Sequence, residues 1–301
     1  MKSYRMIDVH CHLDDPSFES DLDSVINDAK SVGVEKFVLS ALVDVGIEKA
    51  LQIAITHPCV RLSIGAQPQS VNEATYGELI LKIEGAVKNS QVIALGEVGI
   101  DRGRERGDIS LQEKFFREAI RLASSRKLPL IVHSRGAGRE AIKIIADEKP
   151  DIPVDMHAFD GRVSTAFEAS KKGLMFSIPP SIARSEQKRA LASRLPLSSI
   201  MLESDAPALG PDLEKRNVPS NLVITVRVIA QEKKVGEDEV ADFAYNNSHA
   251  FFLGRLRVKL PASPQCNSCK VWRLLDRRPC KALFSACTEG PLRYVLTIPS
   301  L

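Results

Sequence analysis

The sequence predicts an α/β protein folded as a (β/α)8 TIM barrel, and three observations support this fold class. Short apolar runs recur eight times, amphipathic helical patterns separate them, and most of the runs are nearly continuous in apolar residues. Strands of that composition are covered on both faces, as in a parallel sheet. Eight alternations within about 230 residues favour a closed barrel, although an open sheet of eight strands is also allowed.

The predicted strands are short and rich in Val, Ile and Leu. In chain order they span residues 6–10, 36–40, 61–66, 92–97, 130–133, 153–157, 174–178 and 199–203. Parallel strands need a crossover between them, so the segments that separate these runs are expected to be mainly helical.

These segments carry a helical period. In residues 20–32 the apolar side chains repeat at intervals of three and four, so they face one side. Ser110 is expected to cap a helix whose apolar stripe begins at Leu111. A later helix is predicted over residues 220–233.

The composition is that of a globular protein, with 44% hydrophobic and 26% charged residues. No apolar run reaches the roughly 18 residues of a membrane span, so no membrane association is expected. The first residues lack the apolar core of a signal peptide. We therefore expect an intracellular protein of the cytoplasm or nucleus that is not secreted.

Charge is unevenly distributed along the chain. Residues 255–301 hold nine Lys or Arg and two acidic residues, a net charge of +7, so the total of +3 leaves −4 for residues 1–254. A mildly acidic body argues against a whole-surface field for nucleic acid. Charge that binds phosphate must therefore be local or come from metal ions.

We divide the chain into a barrel, residues 1–256, and a basic tail, residues 257–301. The tail has no strand–helix alternation and holds four of the six cysteines. The cysteine spacing is a poor match to a zinc ribbon, and a basic arm for nucleic acid is a further alternative. We expect a poorly ordered extension.

Histidines and carboxylates cluster where the predicted strands end, which is where barrel enzymes place their chemistry. Each one alone fits a structural histidine or a solvated charge, but six at matching strand ends are hard to reconcile with chance. We interpret His57 and His249 as structural. The six are His10, His12, Glu97, His133, His157 and Asp205.

This set suits two divalent cations. Imidazole and carboxylate together fit zinc, and also manganese. His10 and His12 are one residue apart on a strand, so they point to the same face and can share an ion. Glu97 has two oxygens and can bridge two ions about 3.5–4 Å apart.

These motifs resemble the TatD family of metal-dependent deoxyribonucleases. The matching stretches are DVHCHLD, ALGEVGID, LPLIVHSR, HAFDG and LESDAPAL, and the resemblance covers about residues 5–254. It implies a barrel of the metal-dependent hydrolase type that acts on DNA. Removal of nucleotides from a 3′ end is the usual family activity, with endonuclease action at abasic sites in some members. Further stretches, FSIPPSI, ALGP and RNVPSNL, resemble one branch of the family.

The resemblance also implies how the ions are held. His10, His12, Glu97 and Asp205 would ligate one ion, and Glu97, His133 and His157 the other. Asp205 is then the expected general base for an attacking water. Zinc is the expected ion for tight binding, whereas magnesium or manganese are alternatives for turnover.

Three further residues are expected to contact the substrate, which is DNA with its 3′ ends and abasic sites. Arg135, close to His133, is a candidate phosphate contact. Gln67 stands where the family commonly has a histidine, and it can hydrogen-bond a phosphate oxygen. Arg102 can contact the backbone or serve as plain surface charge.

Two other functions stay open at this point. One is an amidohydrolase-type enzyme that cleaves a small ester, lactone or amide; such relatives often bridge their ions with a carboxylated lysine on strand 4, where this chain has Glu97. The other is a weakly active relative that binds nucleic acid. No obligate protein partner is inferred.

Overall fold

The structure is a computed structural model, and it describes residues 4–104 and 107–253. The tail predicted over residues 257–301 and its boundary at residue 256 lie outside the described residues. The described residues belong to one compact unit. No helix among them is long and apolar enough to cross a bilayer.

Eight parallel strands form one sheet in the order of the chain, which confirms the predicted barrel. Each strand lies within two residues of its predicted bounds. The strands are β1 (Met6–Cys11), β2 (Val34–Leu42), β3 (Val60–Gly65), β4 (Val92–Gly99), β5 (Leu130–His133), β6 (Val154–Met156), β7 (Met175–Ile178) and β8 (Ile200–Leu202).

Helices lie between the strands and after the last one. They are α1 (Leu22–Ser31), α2 (Glu48–Thr56), α3 (Tyr76–Ala86), α4 (Ile109–Arg126), α5 (Gly138–Glu148), α6 (Val163–Ser170), α7 (Glu186–Arg194), α8 (Leu222–Lys233) and α9 (Glu237–Leu253). The helices predicted at 20–32 and 220–233 correspond to α1 and α8.

The predicted cap of α4 was wrong. The cap is Asp108, whose carboxylate accepts hydrogen bonds from the backbone N–H groups of Ser110 and Leu111 at 2.8 and 3.2 Å. Asp108 has extended backbone angles, and Ser110 already lies inside the helix. The residue that directly precedes a helix is the one whose side-chain oxygen can accept hydrogen bonds from the free N–H groups of the first turn. For α4 this residue is Asp108.

Backbone hydrogen bonds join the ends of β1 and β8 and so close the barrel at its carboxyl rim. The N–H of Asp205 donates to the carbonyl of His10 at 2.9 Å, and the N–H of His12 donates to that of Ala206 at 2.8 Å. Two sequence-distant ligand candidates are thereby fixed next to each other.

Two apolar clusters hold the fold together. The larger one lies between the sheet and the surrounding helices. The smaller one fills the barrel interior, and α9 contributes to it from the amino end of the strands. Its buried members are Ile7, Val9, Val38, Ala94, Ile131, Met201 and Phe251.

Candidate metal centre

The six side chains predicted as ligands converge at the carboxyl end of the strands. The carboxylates of Glu97 and Asp205 lie among four imidazoles. His10 Nε2 lies 3.2 Å from His12 Nε2, 3.6 Å from Asp205 Oδ1 and 3.8 Å from Glu97 Oε2. His133 Nδ1 and His157 Nε2 lie 3.3 and 3.6 Å from Glu97 Oε2.

Glu97 reaches the centre because glycines flank it on β4. The pairing of β4 with β5 shifts register between Leu95 and Val98. Gly99 has a φ of 152°, and a Cβ there would lie 2.0 Å from the carbonyl oxygen of His133. Only glycine allows so close an approach of the two backbones. The shift leaves Glu97 buried, at 7% exposure.

Asp205 has a left-handed backbone, with a φ of 52°. Aspartate and asparagine tolerate this region better than most residues. The residue directly follows Ser204, whose backbone N–H and hydroxyl lie 2.8 and 2.6 Å from the carboxylate of Asp8 on β1. Ser204 therefore fixes the turn after β8 to β1, and Asp205 Oδ1 lies 3.6 and 3.5 Å from Nε2 of His10 and His12.

The donor atoms fit divalent cations. Two groups of three residues, His10–His12–Asp205 and His10–Glu97–His157, have ligand atoms that all lie within 4.8 Å of one another. Most of the separations between the atoms of the cluster, at 3.3–4.0 Å, are long for hydrogen bonds. Nitrogen and oxygen donors gathered at such distances fit zinc and related ions.

Three of the imidazoles have their second nitrogen held by the protein. His12 Nδ1 lies 3.2 Å from the carbonyl oxygen of Ser40. His133 Nε2 lies 2.7 Å from Asp101 Oδ2, and His157 Nδ1 lies 2.6 Å from Glu203 Oε2. Such partners fix the orientation of metal-binding histidines and leave the other nitrogen free for the ion.

His10 differs from the other three imidazoles. Its ring is fully buried and stacks on His157 with 3.8 Å between the ring centroids. Its Nδ1 has no hydrogen-bond partner among the described residues. Burial and the neighbouring His157 hold the pKa of His10 well below its usual value, so this ring is neutral and ready to ligate.

The other titratable groups of the centre form ion pairs. Burial lowers the pKa of an imidazole, but nearby carboxylates outweigh it and raise the pKa of His12 and His157 to about 9 and that of His133 to about 10. Burial raises the pKa of a carboxyl, yet the imidazoles hold those of Glu97 and Asp205 below their usual values. Cations that bind here must displace protons.

A buried hydrogen-bonded chain continues below His157. Glu203 Oε1 accepts from the backbone N–H of Ala158 at 2.9 Å. The Ser177 hydroxyl lies 2.6 Å from Glu203 Oε2 and 2.7 Å from Asp155 Oδ2. These contacts join β6, β7 and β8 beneath the centre and hold the Glu203 carboxylate in place.

The residues predicted to contact substrate lie at different distances from the centre. Arg135 is exposed and its Nη1 lies 3.7 Å from Asp101 Oδ2, one contact away from His133. Arg102 Nη2 lies 3.9 Å from Glu140 Oε1, further from the cluster. Gln67 is half-buried after β3, and its backbone N–H donates to Asp44.

Sequence reasoning missed Asp101 and Glu203. Both lie in stretches already singled out, two residues beyond the end of β4 and at the end of β8. The position of each carboxylate close to the end of a strand could have identified it as part of the site. Gln69 was also missed; its side chain donates to Asp101 at 2.9 Å, so it is Gln69 that reaches the hydrogen-bond network around His133.

The two histidines interpreted as structural lie outside the cluster. His57 ends α2, and its Nε2 lies 3.4 Å from Asp23 Oδ1. His249 lies on α9 and stacks on Tyr245. The structure thus places four of the six histidines together and these two elsewhere.

Comparisons with known proteins agree with the geometry. The sequence profile of the family described as TatD related DNase matches residues 7–253. The human deoxyribonuclease TATDN3 is 37% identical over 260 residues, which cover 82% of this chain and 94% of that protein. An uncharacterised metal-dependent hydrolase of Methanocaldococcus jannaschii is 31% identical over 258 residues, 85% of this chain and 100% of that protein.

Solved structures show the same fold. The TatD homologue YjjV of Escherichia coli has a TM-score of 0.75 at 24% identity, covering 83% of this chain and 98% of that chain. The matched family segment contains all six predicted ligands and ends with α9. The predicted resemblance is confirmed: the chain is a hydrolase that belongs to the TatD related DNase family of metal-dependent enzymes.

Proposed function

We propose that the chain is a two-metal deoxyribonuclease that hydrolyses phosphodiester bonds in DNA. The cluster of four imidazoles and two carboxylates at the barrel rim carries this proposal. A carboxylate, Glu97, stands on β4 at the centre of the cluster, where both of its oxygens face imidazole nitrogens. The human relative that is named a deoxyribonuclease supports DNA as the substrate.

We assign His10, His12, Glu97 and Asp205 to one ion and Glu97, His133 and His157 to the other. Zinc suits this donor set, and magnesium or manganese are the alternatives. When bound, two such cations supply Lewis acidity that polarises the phosphate and makes a water molecule a nucleophile near neutral pH.

The protein groups then have separate tasks. Asp205 is the general base that accepts the proton of the attacking water. The water oxygen bonds to phosphorus in line with the 3′ oxygen of the preceding nucleotide, and the bond from phosphorus to that oxygen breaks. Glu203 and Asp101 orient the imidazoles of His157 and His133.

Three polar side chains near the centre can meet the phosphate and its neighbours. Arg135 is the first of them, because its guanidinium is exposed beside Asp101 and can form two parallel bonds to a phosphate. Gln67 and Arg102 are the other two, as predicted. The Nη1 of Arg135 lies 3.7 Å from Asp101 Oδ2, which places the guanidinium near His133.

The finer activities that we propose are removal of nucleotides from a 3′ end and incision at abasic sites. We place the enzyme inside the cell, in keeping with two buried, unpaired cysteines in the barrel, Cys11 and Cys59. We infer no obligate protein partner.

The test is a comparison of metal content and hydrolysis on the same protein. The chain is stripped with a chelator, reloaded with zinc, magnesium or manganese, and analysed for metal per chain. Each form is then assayed on single-stranded DNA labelled at its 5′ or 3′ end, on a duplex with one abasic site, and on a panel of lactones and amides.

The decisive variant is Asp205→Asn, because asparagine tolerates the left-handed backbone. We expect nearly complete loss of hydrolysis with an unchanged circular dichroism spectrum. The matched control is Asp212→Asn in the same loop, an exposed carboxylate that pairs with Lys215, which should retain full activity. An active Asp205→Asn protein would refute the base role, and turnover of the amide panel alone would replace the nuclease by a small-molecule hydrolase.

A further inference from the structure

The loops at the carboxyl end of the strands divide by charge into two halves. The loops after β1, β2 and β3, residues 12–21, 43–47 and 66–75, contain six acidic residues and no Lys or Arg. We call these three loops the acidic half. Its acidic residues are Asp14, Asp15, Glu19, Asp21, Asp44 and Glu73.

The loops after β4 to β7 have the opposite character, and we call them the basic half. Their described residues include five arginines, all exposed: Arg102, Arg104, Arg135, Arg162 and Arg184. Because the strands are neighbours in chain order, each half is a continuous arc of the same rim. The metal centre lies between the two arcs.

The acidic residues among the described residues of the basic half are engaged in internal contacts. Asp101 is buried against His133, and Asp108 caps α4. Asp160 accepts from the backbone N–H of Gly136 at 3.0 Å. These carboxylates support the loops, and of the three only Asp101 lies close to an exposed guanidinium, that of Arg135 at 3.7 Å.

The arginines themselves are held only loosely. The guanidinium–carboxylate distances at Arg135 and Arg102 are 3.7 and 3.9 Å, and exposed pairs at such distances contribute little. Arg184 uses its Nε to bind the carbonyl of Gly210 at 3.0 Å. All of the guanidinium groups are therefore available to an external anion.

The loop after β8 does not change this division. Its Arg216 forms a two-point pair with Asp21 of the acidic half at 2.6 and 3.0 Å. Its Lys215 pairs with Asp212 at 3.3 Å. Lys49 is the first basic residue of α2, the helix that follows the second acidic loop. It stands next to Glu48 in the sequence.

We propose that a single DNA strand lies across the basic half and preferentially ends at the metal centre, because the acidic half disfavours its continuation. This proposal rests on the proposed nuclease function and adds the path and the end of the substrate. The scissile phosphate would meet Arg135 and the phosphates of the preceding nucleotides would meet Arg104 and Arg162, whereas the acidic half repels a polyanion. Local charge of this kind suits a barrel whose residues 1–254 have a net charge of −4.

On this proposal, electrostatic repulsion favours hydrolysis at the end of a DNA strand, and no steric barrier is required. A strand that continued past the scissile phosphate would have to cross loops that hold six carboxylates and no Lys or Arg of their own; one of the six, Asp21, pairs with Arg216. One terminal nucleotide can occupy this side of the centre at a small electrostatic cost. The arrangement thus favours removal of terminal residues over cleavage within a strand.

The test uses a double variant of the basic half, Arg104→Gln with Arg162→Gln, which removes two charges that are not in contact with the centre. Binding of a fluorescent single-stranded oligonucleotide is measured by anisotropy in chelator, where no hydrolysis occurs. Kinetics on the same oligonucleotide are compared with those on bis(p-nitrophenyl) phosphate, a diester too small to extend from the centre to Arg104 and Arg162.

We expect the variant to bind the oligonucleotide about tenfold more weakly and to lose about 1.4 from the slope of log Kd against log salt, for two phosphate contacts on a single strand. Its kcat/KM on the small diester should stay unchanged. The matched control, Arg227→Gln on α8 with Lys234→Gln directly after the helix, removes the same charge away from the rim and should leave all three values unchanged. Glu19→Gln with Glu73→Gln should strengthen oligonucleotide binding.

The outcomes separate the two proposals. Equal binding by the rim variant and the α8 control would overturn the path proposed here, even if the enzyme hydrolyses DNA. Rim-dependent binding without hydrolysis by any metal-loaded form would support the path and refute the nuclease function. Weaker binding after removal of the Glu19 and Glu73 charges would overturn the role of the acidic half.

Discussion

The barrel interior has two layers that differ in chemistry although the same strands build them. Towards the amino end, Val38, Ile131 and Met201 belong to the interior apolar cluster. Two residues further along each strand the interior holds Ser40, His133 and Glu203. Side chains two residues apart point to the same face, so these layers are separated by only about 6.6 Å.

This contrast shows how one fold separates stability from chemistry. The apolar layer consists of aliphatic side chains and is sealed by Phe251 of α9. The polar layer holds four imidazoles with carboxylates at short distances. Burial of these titratable groups is unfavourable for folding and serves metal binding. Substitutions in one layer should therefore change a different property from substitutions in the other.

The largest expected effect is that of Glu97→Ala in the polar layer. Loss of the carboxylate that faces four imidazoles should reduce bound metal below two per chain and abolish hydrolysis, because both ions share this ligand in our assignment. Metal analysis and the nuclease assay check this result. Glu19→Ala on the exposed rim is the control, and an unchanged metal content in Glu97→Ala would exclude bridging.

The counterpart in the apolar layer is Phe251→Ala. Phe251 is 3% exposed and packs edge-to-face on Phe252, so its truncation should lower the free energy of unfolding by about 3–5 kcal/mol. Below the new melting temperature kcat should stay unchanged. Urea unfolding measures the first quantity. A smaller loss is expected for Phe252→Ala, which is only half-buried, and equal losses would contradict the sealing role of Phe251.

A smaller effect is expected from Glu203→Gln, beneath the metal ligands. The amide keeps the shape but holds the His157 imidazole less firmly, so metal affinity or activity should fall about 10- to 100-fold. Titration with a competing chelator measures the affinity directly. Ser177→Ala, which removes only a partner of Glu203, should have a weaker effect; the opposite ranking would assign the orienting role to Ser177.

The smallest effect concerns pH. His12 and His157 have pKa values raised to about 9, above the usual 6.5. Their protonated forms stabilise the metal-free fold fully below pH 6.5, and this contribution is lost as pH rises through about 9. Metal ions need the neutral rings, so the gain in melting temperature on metal addition should grow over the same window. A gain that shrinks with rising pH would contradict these ion pairs.

The sequence predicted the strands well because each is a compact apolar run with a sharp end. It predicted the convergence of His10, Glu97 and Asp205 because the carboxyl ends of barrel strands must meet at one rim. Which side chains share an ion stays a prediction: His10 appears in both close groups, and His133 is 3.3 Å from Glu97 but in neither.

Hydrogen bonds between side chains on different strands could not be predicted from the sequence. Glu203 and His157 are 46 residues apart, and only the register of β6 and β8 brings them to 2.6 Å. The residue that caps α4 is the one with extended backbone angles directly before the helix. Asp108 and Ser110 are both common capping residues, so the sequence alone did not decide between them. Phe251 lies in the barrel interior because of where α9 packs against the strands. The apolar pattern of a helix shows which side is buried but not which part of the barrel that side contacts.

The Ser177 hydroxyl has a further consequence. It has a single hydrogen but lies at 2.6 and 2.7 Å from two carboxyl groups, so a second hydrogen must be present on one of them. Burial, reinforced by the charge of Glu203, raises the pKa of Asp155 to about 7, so Asp155 can hold a proton near neutral pH. One hydroxyl group thus connects the carboxylate that orients a metal-binding imidazole to a second buried carboxyl group that takes up a proton near neutral pH.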